Sequence, residues 1–221
     1  MNRRFVDRAE AGRALAERLR ALRLNPPWVV LALPRGGVPV AAEVARALKA
    51  PLDLLLVRKI GAPWQRELAL AAVVEGDPPD IVVDEEVQRS AAVDAHYIEA
   101  QAQLQLREIA RQRQVYLSGR PGVRVEGCTV IVVDDSIATG TTMRAALKAL
   151  RRRHPAKLVL AVPVAPRDTL ERLRPEVDEL VCLATPQPFF AVGEHYARFD
   201  QVDDAEVIAA LDAAGRGPGP G

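Results

Sequence analysis

The sequence has few of the residues that mark secreted, zinc-dependent or membrane proteins. Its 221 residues include two cysteines, Cys128 and Cys182, and no Cys-x-x-Cys pair. The three histidines lack the spacing of a zinc site, and no apolar run approaches the roughly 18 residues that span a membrane. The first residues also lack the apolar segment of a signal peptide. We therefore expect a cytoplasmic protein with reduced thiols, without a disulfide scaffold or a membrane partner.

An excess of one charge is lacking too. The 30 Lys and Arg residues nearly balance the 29 Asp and Glu residues, so the net charge of +1 gives no electrostatic reason to expect a nucleic-acid partner. No Gly-x-Gly-x-x-Gly follows the first predicted strand, and no glycine-rich loop ends in Gly-Lys-Ser/Thr. These absences exclude a dinucleotide-binding oxidoreductase and a P-loop nucleotidase.

The most informative stretch, VIVVDDSIATGTT, runs from Val130 to Thr142. Its continuous apolar start predicts a central strand buried on both faces, and the loop after such a strand is where open α/β sheets bind ligands. Gly140 allows a tight approach to the backbone, and the free N–H groups of the following helix favour a phosphate. With Asp134 and Asp135 available for hydroxyl groups, the stretch predicts a site for a sugar phosphate such as ribose 5-phosphate.

Each half of this stretch also has a plainer interpretation. Thr141 would serve as an ordinary helix N-cap, and the two aspartates would form a solvated turn. The combination in this order favours the ligand site. Further apolar runs predict strands that alternate with helices, which is typical of a mainly parallel α/β sheet; the predicted strands are 28–33, 52–57, 68–74, 81–83, 157–164 and 179–184.

The stretch resembles the signature with which type I phosphoribosyltransferases bind 5-phosphoribosyl 1-pyrophosphate (PRPP). The shared pattern is an apolar strand, two acidic residues, two spacers and a small-Thr-Gly-x-Thr loop. The resemblance implies the type I α/β fold, a mainly parallel sheet flanked by helices, as a single domain over residues 1–221. It also implies that Asp134 and Asp135 hold the ribose 2′- and 3′-hydroxyls. The residues implied to wrap the 5-phosphate are Ala138, Thr139, Gly140, Thr141 and Thr142.

Two basic segments extend the resemblance toward a pyrophosphate. Arg35-Gly36-Gly37 follows the strand at 28–33, and such a turn alone is more often a plain tight turn. By the resemblance it binds pyrophosphate, with a cis peptide between Pro34 and Arg35. Arg58 and Lys59 end the strand at 52–57, before a predicted loop at 60–67. They resemble the basic residues of the family's mobile loop, although a solvated strand end is the plainer alternative.

The remaining segments are interpreted as accessories to this core. Residues 84–117 predict one long helical insertion, packed on the domain or on a partner subunit in a homodimer. Residues 186–200 correspond to the family's small C-terminal hood, where Phe189, Phe190 and Tyr196 are candidates to stack on a base or simply to pack a flap. Residues 215–221 are expected to form a disordered tail.

The resemblance implies a Mg²⁺-dependent pentosyltransferase of nucleotide salvage. A nucleobase or related nitrogen acceptor would displace pyrophosphate from PRPP, with Mg²⁺ bound through PRPP near the aspartates. The residues implied in catalysis are Arg35, Arg58, Lys59, Asp134 and Asp135.

One position departs from the family's 6-oxopurine branch, which has an Asp where this chain has Ala138. That difference argues against a 6-oxopurine acceptor. An acid or base must then come from elsewhere, with Glu67 and Glu194 as candidates, or be unnecessary. The alternative function is a PRPP-binding regulatory protein with little or no transfer activity.

Overall fold

The computed structural model describes residues 4–215, apart from the side chains of Arg66 and Glu67. Its helices are α1 (Arg8–Ala21), α2 (Gly37–Leu48), α3 (Glu85–Ser90), α4 (Ala95–Leu117), α5 (Thr141–Arg151), α6 (Arg167–Leu173) and α7 (Asp204–Gly215). Its strands are β1 (Trp28–Ala32), β2 (Leu52–Leu54), β3 (Val57–Ala62), β4 (Gln65–Val74), β5 (Asp80–Val83), β6 (Thr129–Val133), β7 (Lys157–Val164) and β8 (Glu179–Ala184). Short 3₁₀ turns lie at Arg174–Glu176 and Val192–His195.

The core is a five-stranded parallel sheet with the strand order β2-β1-β6-β7-β8. The central strand β6 is buried along its whole length. Val130 and Val132 pack on the face that α5 and α6 cover, while Ile131 and Val133 pack on the face that α1 and α2 cover. Because both faces are covered by helices, every position of the strand is apolar or buried. The predicted central strand and the mainly parallel type I fold are confirmed.

The register of the central strands brings two loops together. Ala32 at the end of β1 lies beside Val133 at the end of β6, and the N–H of Leu33 donates to the Val133 carbonyl over 3.0 Å. Since both strands run in the same direction, the turn at 34–37 lies next to the loop at 134–140. This edge of the sheet is where ligands bind in open α/β folds.

The predicted strand at 52–57 is wrong as a single element. Strand β2 ends at Leu54 in the parallel sheet, and β3 begins at Val57 in a separate antiparallel sheet with the order β3-β4-β5. Leu55 and Leu56, both buried, connect the two sheets. The run therefore stays apolar while the chain changes sheets, so the hydrophobic pattern contains no sign of the break.

The predicted loop at 60–67 is also mostly strand. Residues through Ala62 belong to β3 and residues from Gln65 belong to β4, so the two strands form a hairpin whose turn contains Trp64. The register shifts around Gly61, which disturbed the alternating pattern that would have predicted a strand. Arg58 and Lys59 consequently lie within β3 and not at the end of a strand.

The segment at 84–117 is helical, but it forms two helices instead of one. Asp94 ends the connection between α3 and α4 by accepting a hydrogen bond from the N–H of Tyr97 over 2.8 Å, and Ala92 adopts a left-handed φ of 50°. The apolar spacing continues across the break, with Ala91 and Ile98 both buried, and so the pattern alone did not show it. Helix α4 packs against β3 and β4.

The two ends of the described chain meet beside the sheet. Phe5 forms a β-bridge with Tyr196 of the predicted hood, and α7 packs against α2 and α4. The predicted tail at 215–221 lies outside the described residues, apart from Gly215 at the end of α7. Within residues 4–215, no helix combines the length and apolar character that crossing a membrane requires.

Candidate active site

The loop between β6 and α5, residues 134–140, has the form of a phosphate cup. Gly140 adopts a left-handed φ of 79° and immediately precedes α5. A Cβ atom there would lie 2.9 Å from Cγ2 of Thr169, while the hydroxyl of Thr169 donates to the Ala138 carbonyl over 2.8 Å. The loop is thus held against α6 and leads into the unpaired N–H groups of the first turn of α5.

A cavity of about 590 Å³ opens along this loop and is here called the donor cavity. The volume is typical of a small-molecule site. Its walls come from the turn after β1, from β3 and α4, and from the first residue of α7. It is lined by seven of the predicted site residues, namely Arg35, Arg58, Asp134, Ala138, Thr139, Gly140 and Thr142.

The turn after β1 comes close enough to the aspartates to require glycine. The Pro34–Arg35 peptide is cis, as the family resemblance implies. A Cβ atom on Gly36 would overlap Oδ2 of Asp135, and one on Gly37 would lie 2.9 Å from Cα of Asp134. The small residues therefore allow the two loops to form one continuous surface.

The two adjacent aspartates face different surroundings. Asp134 lines the donor cavity, where its Oδ1 accepts the N–H of Asp135 over 2.8 Å. Burial and the neighbouring negative charge of Asp135 hold the pKa of Asp134 well above its usual value. A cation or a hydroxyl donor in the cavity would relieve this unfavourable charge.

Asp135 is held by protein groups instead of facing the donor cavity. Its Oδ2 accepts Nε of Arg8 over 2.8 Å, and both side chains are almost buried. Its Oδ1 accepts the Ser136 hydroxyl over 3.1 Å, and its backbone carbonyl accepts the Tyr196 hydroxyl over 2.7 Å. Arg8 also lies over the ring of Phe199, 4.0 Å from its centroid. The two carboxylates thus have different surroundings, and the expected contact of both with the ribose hydroxyls stays a prediction.

Arg58 and Lys59 point to opposite sides of β3, because successive residues of a strand alternate. Arg58 lines the donor cavity, whereas Lys59 lines a second cavity of about 530 Å³ on the other side of the loop at 134–140. This loop is called the phosphate loop below. Thr141, the remaining residue of the predicted loop, also lines the second cavity. The structure thus brings the two basic residues to different cavities.

Helix α4 provides a wall of the donor cavity that the sequence did not reveal. Arg58 donates to Gln105 over 3.3 Å and lies 3.9 Å from the carboxylate of Glu108. The same carboxylate accepts two hydrogen bonds from Arg111, each 2.8 Å long, which lower the pKa of Glu108. Tyr116 on the same helix also lines the cavity.

The first residue of α7 closes the cavity at the turn after β1. Asp204 accepts the hydroxyl of Tyr116 over 2.8 Å and lies 3.5 Å from Nη1 of Arg35. Burial and this hydrogen bond raise the pKa of Tyr116, so its hydroxyl remains a donor. These contacts join residues more than 80 positions apart, and no local sequence pattern could have predicted them.

The predicted hood residues divide into exposed and buried sets. Phe189 and Phe190 line a cavity of about 540 Å³, here called the hood cavity, together with Ala138 and Thr139. The ring of Phe190 is 76% exposed. Tyr196 is only 1% exposed and packs between two Phe rings, so its burial fits the flap-packing alternative and not stacking on a base.

Of the two candidate proton-transfer residues, Glu194 is not brought to the site. Glu194 is exposed and lies outside the residues that line the donor and hood cavities. The side chain of Glu67 is not among those the structure describes. Within residues 4–215, no group of three His, Cys, Asp or Glu side chains is arranged to hold a metal ion.

Comparison with known proteins identifies the family. The phosphoribosyl transferase domain model matches residues 6–198. The chain is 47% identical over 212 residues to two Mycobacterium tuberculosis proteins named "Putative phosphoribosyl transferase", covering 96% of this chain and 47% of each relative. It therefore spans about half the length of these curated relatives. The crystal structure of TT1426 from Thermus thermophilus is 45% identical, with a TM-score of 0.83 over 94% of this chain and 97% of that chain. The chain belongs to the phosphoribosyl transferase domain family, as its VIVVDDSIATGTT stretch led us to expect.

Proposed function

We propose that this domain is a phosphoribosyltransferase of nucleotide salvage, which transfers the phosphoribosyl group of PRPP to a nucleobase or related nitrogen acceptor. The observation that carries the proposal is the junction at Ala138 and Thr139, which line both the donor cavity and the hood cavity. A sugar phosphate in the first cavity and a planar ring in the second would meet over these two small residues.

The donor cavity supplies a counterpart for each part of PRPP. The phosphate loop and the start of α5 would bind the 5-phosphate through N–H and hydroxyl donors. Asp134 would accept the ribose hydroxyls. The pyrophosphate would lie against the turn at Arg35-Gly36-Gly37 and against Arg58, because guanidinium groups bind phosphoryl oxygens in bidentate fashion.

We assign Arg111 of α4 to the same pyrophosphate. Arg58 and Arg111 share the single carboxylate of Glu108, and Arg35 lies near Asp204. Three guanidinium groups thus face two carboxylates around one end of the donor cavity. These pairs are partly exposed to solvent and therefore weak, so phosphoryl oxygens can replace the carboxylates when the ligand enters.

Asp135 and Lys59 have different parts in this proposal. Asp135, fixed by Arg8 and Ser136, positions the loop that presents Asp134. Lys59 lies across the phosphate loop from the pyrophosphate position, and we assign it no contact with the leaving group.

The reaction follows from these positions. The C1–O bond to pyrophosphate breaks, its electron pair leaves with the pyrophosphate, and a lone pair of the acceptor nitrogen forms the new bond to C1. Positive charge develops on the ribose, so the protein's contribution is to hold the reactants in line and to compensate the leaving charge. No nucleophile from the protein is required.

The donor set fits a magnesium ion that the substrate itself largely coordinates. Mg²⁺ is commonly bound by one or two carboxylates together with phosphate oxygens and water. Asp134 offers one carboxylate, whose pKa is raised by burial and by the neighbouring charge of Asp135. When bound, the ion would neutralise charge on the pyrophosphate.

The test is a panel of nitrogen acceptors incubated with PRPP and Mg²⁺, with release of pyrophosphate as the measurement. We expect release that depends on both PRPP and one class of acceptor, and that is lost in Asp134→Asn. If calorimetry shows PRPP binding but no acceptor gives release, the domain is a PRPP-binding regulator. If PRPP does not bind, the proposed function is wrong.

A further inference from the structure

The hood cavity contains positive charge beside exposed aromatic surface. Besides Phe189 and Phe190, its lining includes Arg167, Arg172 and Gln187. One carboxylate, that of Asp168, also lines it. A cavity with two guanidinium groups, one carboxylate and an open ring face suits a flat ligand that carries negative charge.

The two arginines differ in what they already bind. Arg172 is held by Asp168 over 3.2 Å and by the hydroxyl of Thr169 over 3.0 Å. Arg167 is exposed, and among the described residues no hydrogen bond or ion pair of its side chain is found. Its guanidinium is therefore available to a ligand without displacing a protein partner.

The cavity offers no group that would accept a proton from the acceptor. Ala138, at the junction with the donor cavity, has no functional group, and Asp168 is paired with Arg172. An acceptor whose ring nitrogen already has a free lone pair needs no such base.

We propose that the acceptor is an aromatic nitrogen heterocycle bearing a carboxylate, bound with its ring on Phe190 and its carboxylate on Arg167. This inference rests on the proposed function and deepens it by naming the acceptor class. In the transfer step the ring nitrogen's lone pair forms the N–C1 bond while the C1–O bond to pyrophosphate breaks. For a pyridine-type nitrogen no proton moves, and the product is a cationic N-glycoside with pyrophosphate as the leaving group.

The experiment uses two pairs of acceptors that separate charge from proton transfer. Nicotinate and nicotinamide both have an unprotonated ring nitrogen and differ in the carboxylate, and orotate and uracil differ likewise but carry ring N–H groups. Binding of each compound to the protein is measured by calorimetry without PRPP, and pyrophosphate release is measured with PRPP. Arg167→Ala is compared with Arg174→Ala, an exposed arginine that lines neither the hood cavity nor the donor cavity.

We expect nicotinate to bind roughly tenfold more tightly than nicotinamide, and orotate roughly tenfold more tightly than uracil. This difference is the size of one charge-assisted hydrogen bond. Arg167→Ala should remove that preference, Arg174→Ala should keep it, and neither should change PRPP affinity. Equal binding within both pairs, or the same preference in Arg167→Ala, would overturn the inference. If the preference appears but PRPP does not bind, the hood cavity is a binding site for carboxylated heterocycles and the proposed transfer reaction fails.

Discussion

Asp134 and Asp135 are adjacent in sequence, yet they belong to two regions of different character. Asp134 faces the donor cavity, to which α4 contributes Arg111, Gln112 and Tyr116. Asp135 faces a clamp made by Arg8, Tyr196 and Phe199, in which the side chains pack closely around its carboxylate and carbonyl. Around the donor cavity, three guanidinium groups share two carboxylates. In the clamp, the carboxylate and the carbonyl of Asp135 have hydrogen-bond partners.

This difference teaches how a strand end separates binding from support. At the end of β6 successive side chains point to opposite sides, so one carboxylate reaches the cavity and the next reaches the chain termini. A polar group that must bind a ligand lacks some of its partners until the ligand arrives. The packing of the surrounding residues offsets the free-energy cost of leaving it in that state. Four of the predictions below test this division, and one tests the α4 wall.

The largest effect should come from Asp134→Asn on PRPP binding. Loss of the carboxylate removes charge-assisted contacts to the ribose and to Mg²⁺, which we expect to weaken binding by about 100-fold. Calorimetry with PRPP and Mg²⁺ measures it. Asp77→Asn, at an exposed position, is the control and should bind like the parent. Unchanged affinity in Asp134→Asn would remove this residue from the site.

The second effect should be on stability, in Asp135→Asn. The substitution breaks the pair with Arg8, and we expect the free energy of unfolding to fall by about 2 kcal/mol. Urea unfolding measures it, with Asp212→Asn as the control because its pair with Arg120 is exposed. A loss no larger than that of the control would mean that the clamp does not support the loop.

The third effect concerns the α4 wall. Arg111→Ala should weaken the binding of pyrophosphate by about tenfold, the size of one guanidinium contact to phosphate. Ribose 5-phosphate should bind unchanged, since it lacks the pyrophosphate. Arg107→Ala removes an exposed arginine of the same helix that does not line the cavity. Equal affinities in the two variants would separate α4 from the ligand.

The fourth comparison uses two aromatic residues of the hood. Tyr196→Phe loses the hydrogen bond to the Asp135 carbonyl and should lower the free energy of unfolding by about 1 kcal/mol. It should leave acceptor KM unchanged because the ring is buried. Phe190→Ala should do the opposite, raising acceptor KM with little change in stability, since its ring is exposed. Kinetics and urea unfolding on both variants decide whether the roles are divided in this way.

The last effect is a pH-dependent gain in stability in Asp134→Asn, which is opposite in sign to the loss of stability expected in Asp135→Asn. The raised pKa means that the folded protein holds the Asp134 proton more tightly than the unfolded chain does. Protonated Asp134 contributes its full stabilisation below the usual pKa of 3.8. This stabilisation is lost as the pH rises through the raised pKa of Asp134 in the folded protein. Asp134→Asn should therefore be more stable than the parent at neutral pH, with the difference disappearing in acid. If the interpretation is wrong, the unfolding free energies of the parent and of Asp134→Asn will differ by the same amount at every pH in this range.

Local patterns predicted the parallel core and the loop between β6 and α5 well. β6, β7 and β8 are strongly apolar and bounded by turns. The glycines at 36 and 37 stand where two loops approach closely, and Gly140 stands close to α6. The patterns failed where one apolar run crossed between sheets at Leu55 and Leu56, and where a helical period continued across the break before α4. Apolar spacing reports burial, and burial persisted through both changes of direction.

The sequence by itself determined the phosphoribosyl transferase family, the central strand and the loop that forms the phosphate cup, because these depend on residues that are close together in the chain. Only the tertiary structure decided which aspartate faces the cavity, that Lys59 lies on the far side of the loop, that Arg111 and Asp204 join the wall, and that Tyr196 supports the site from within. Those outcomes depend on which side chains meet across the fold, and contacts between distant segments leave no periodic trace in the sequence.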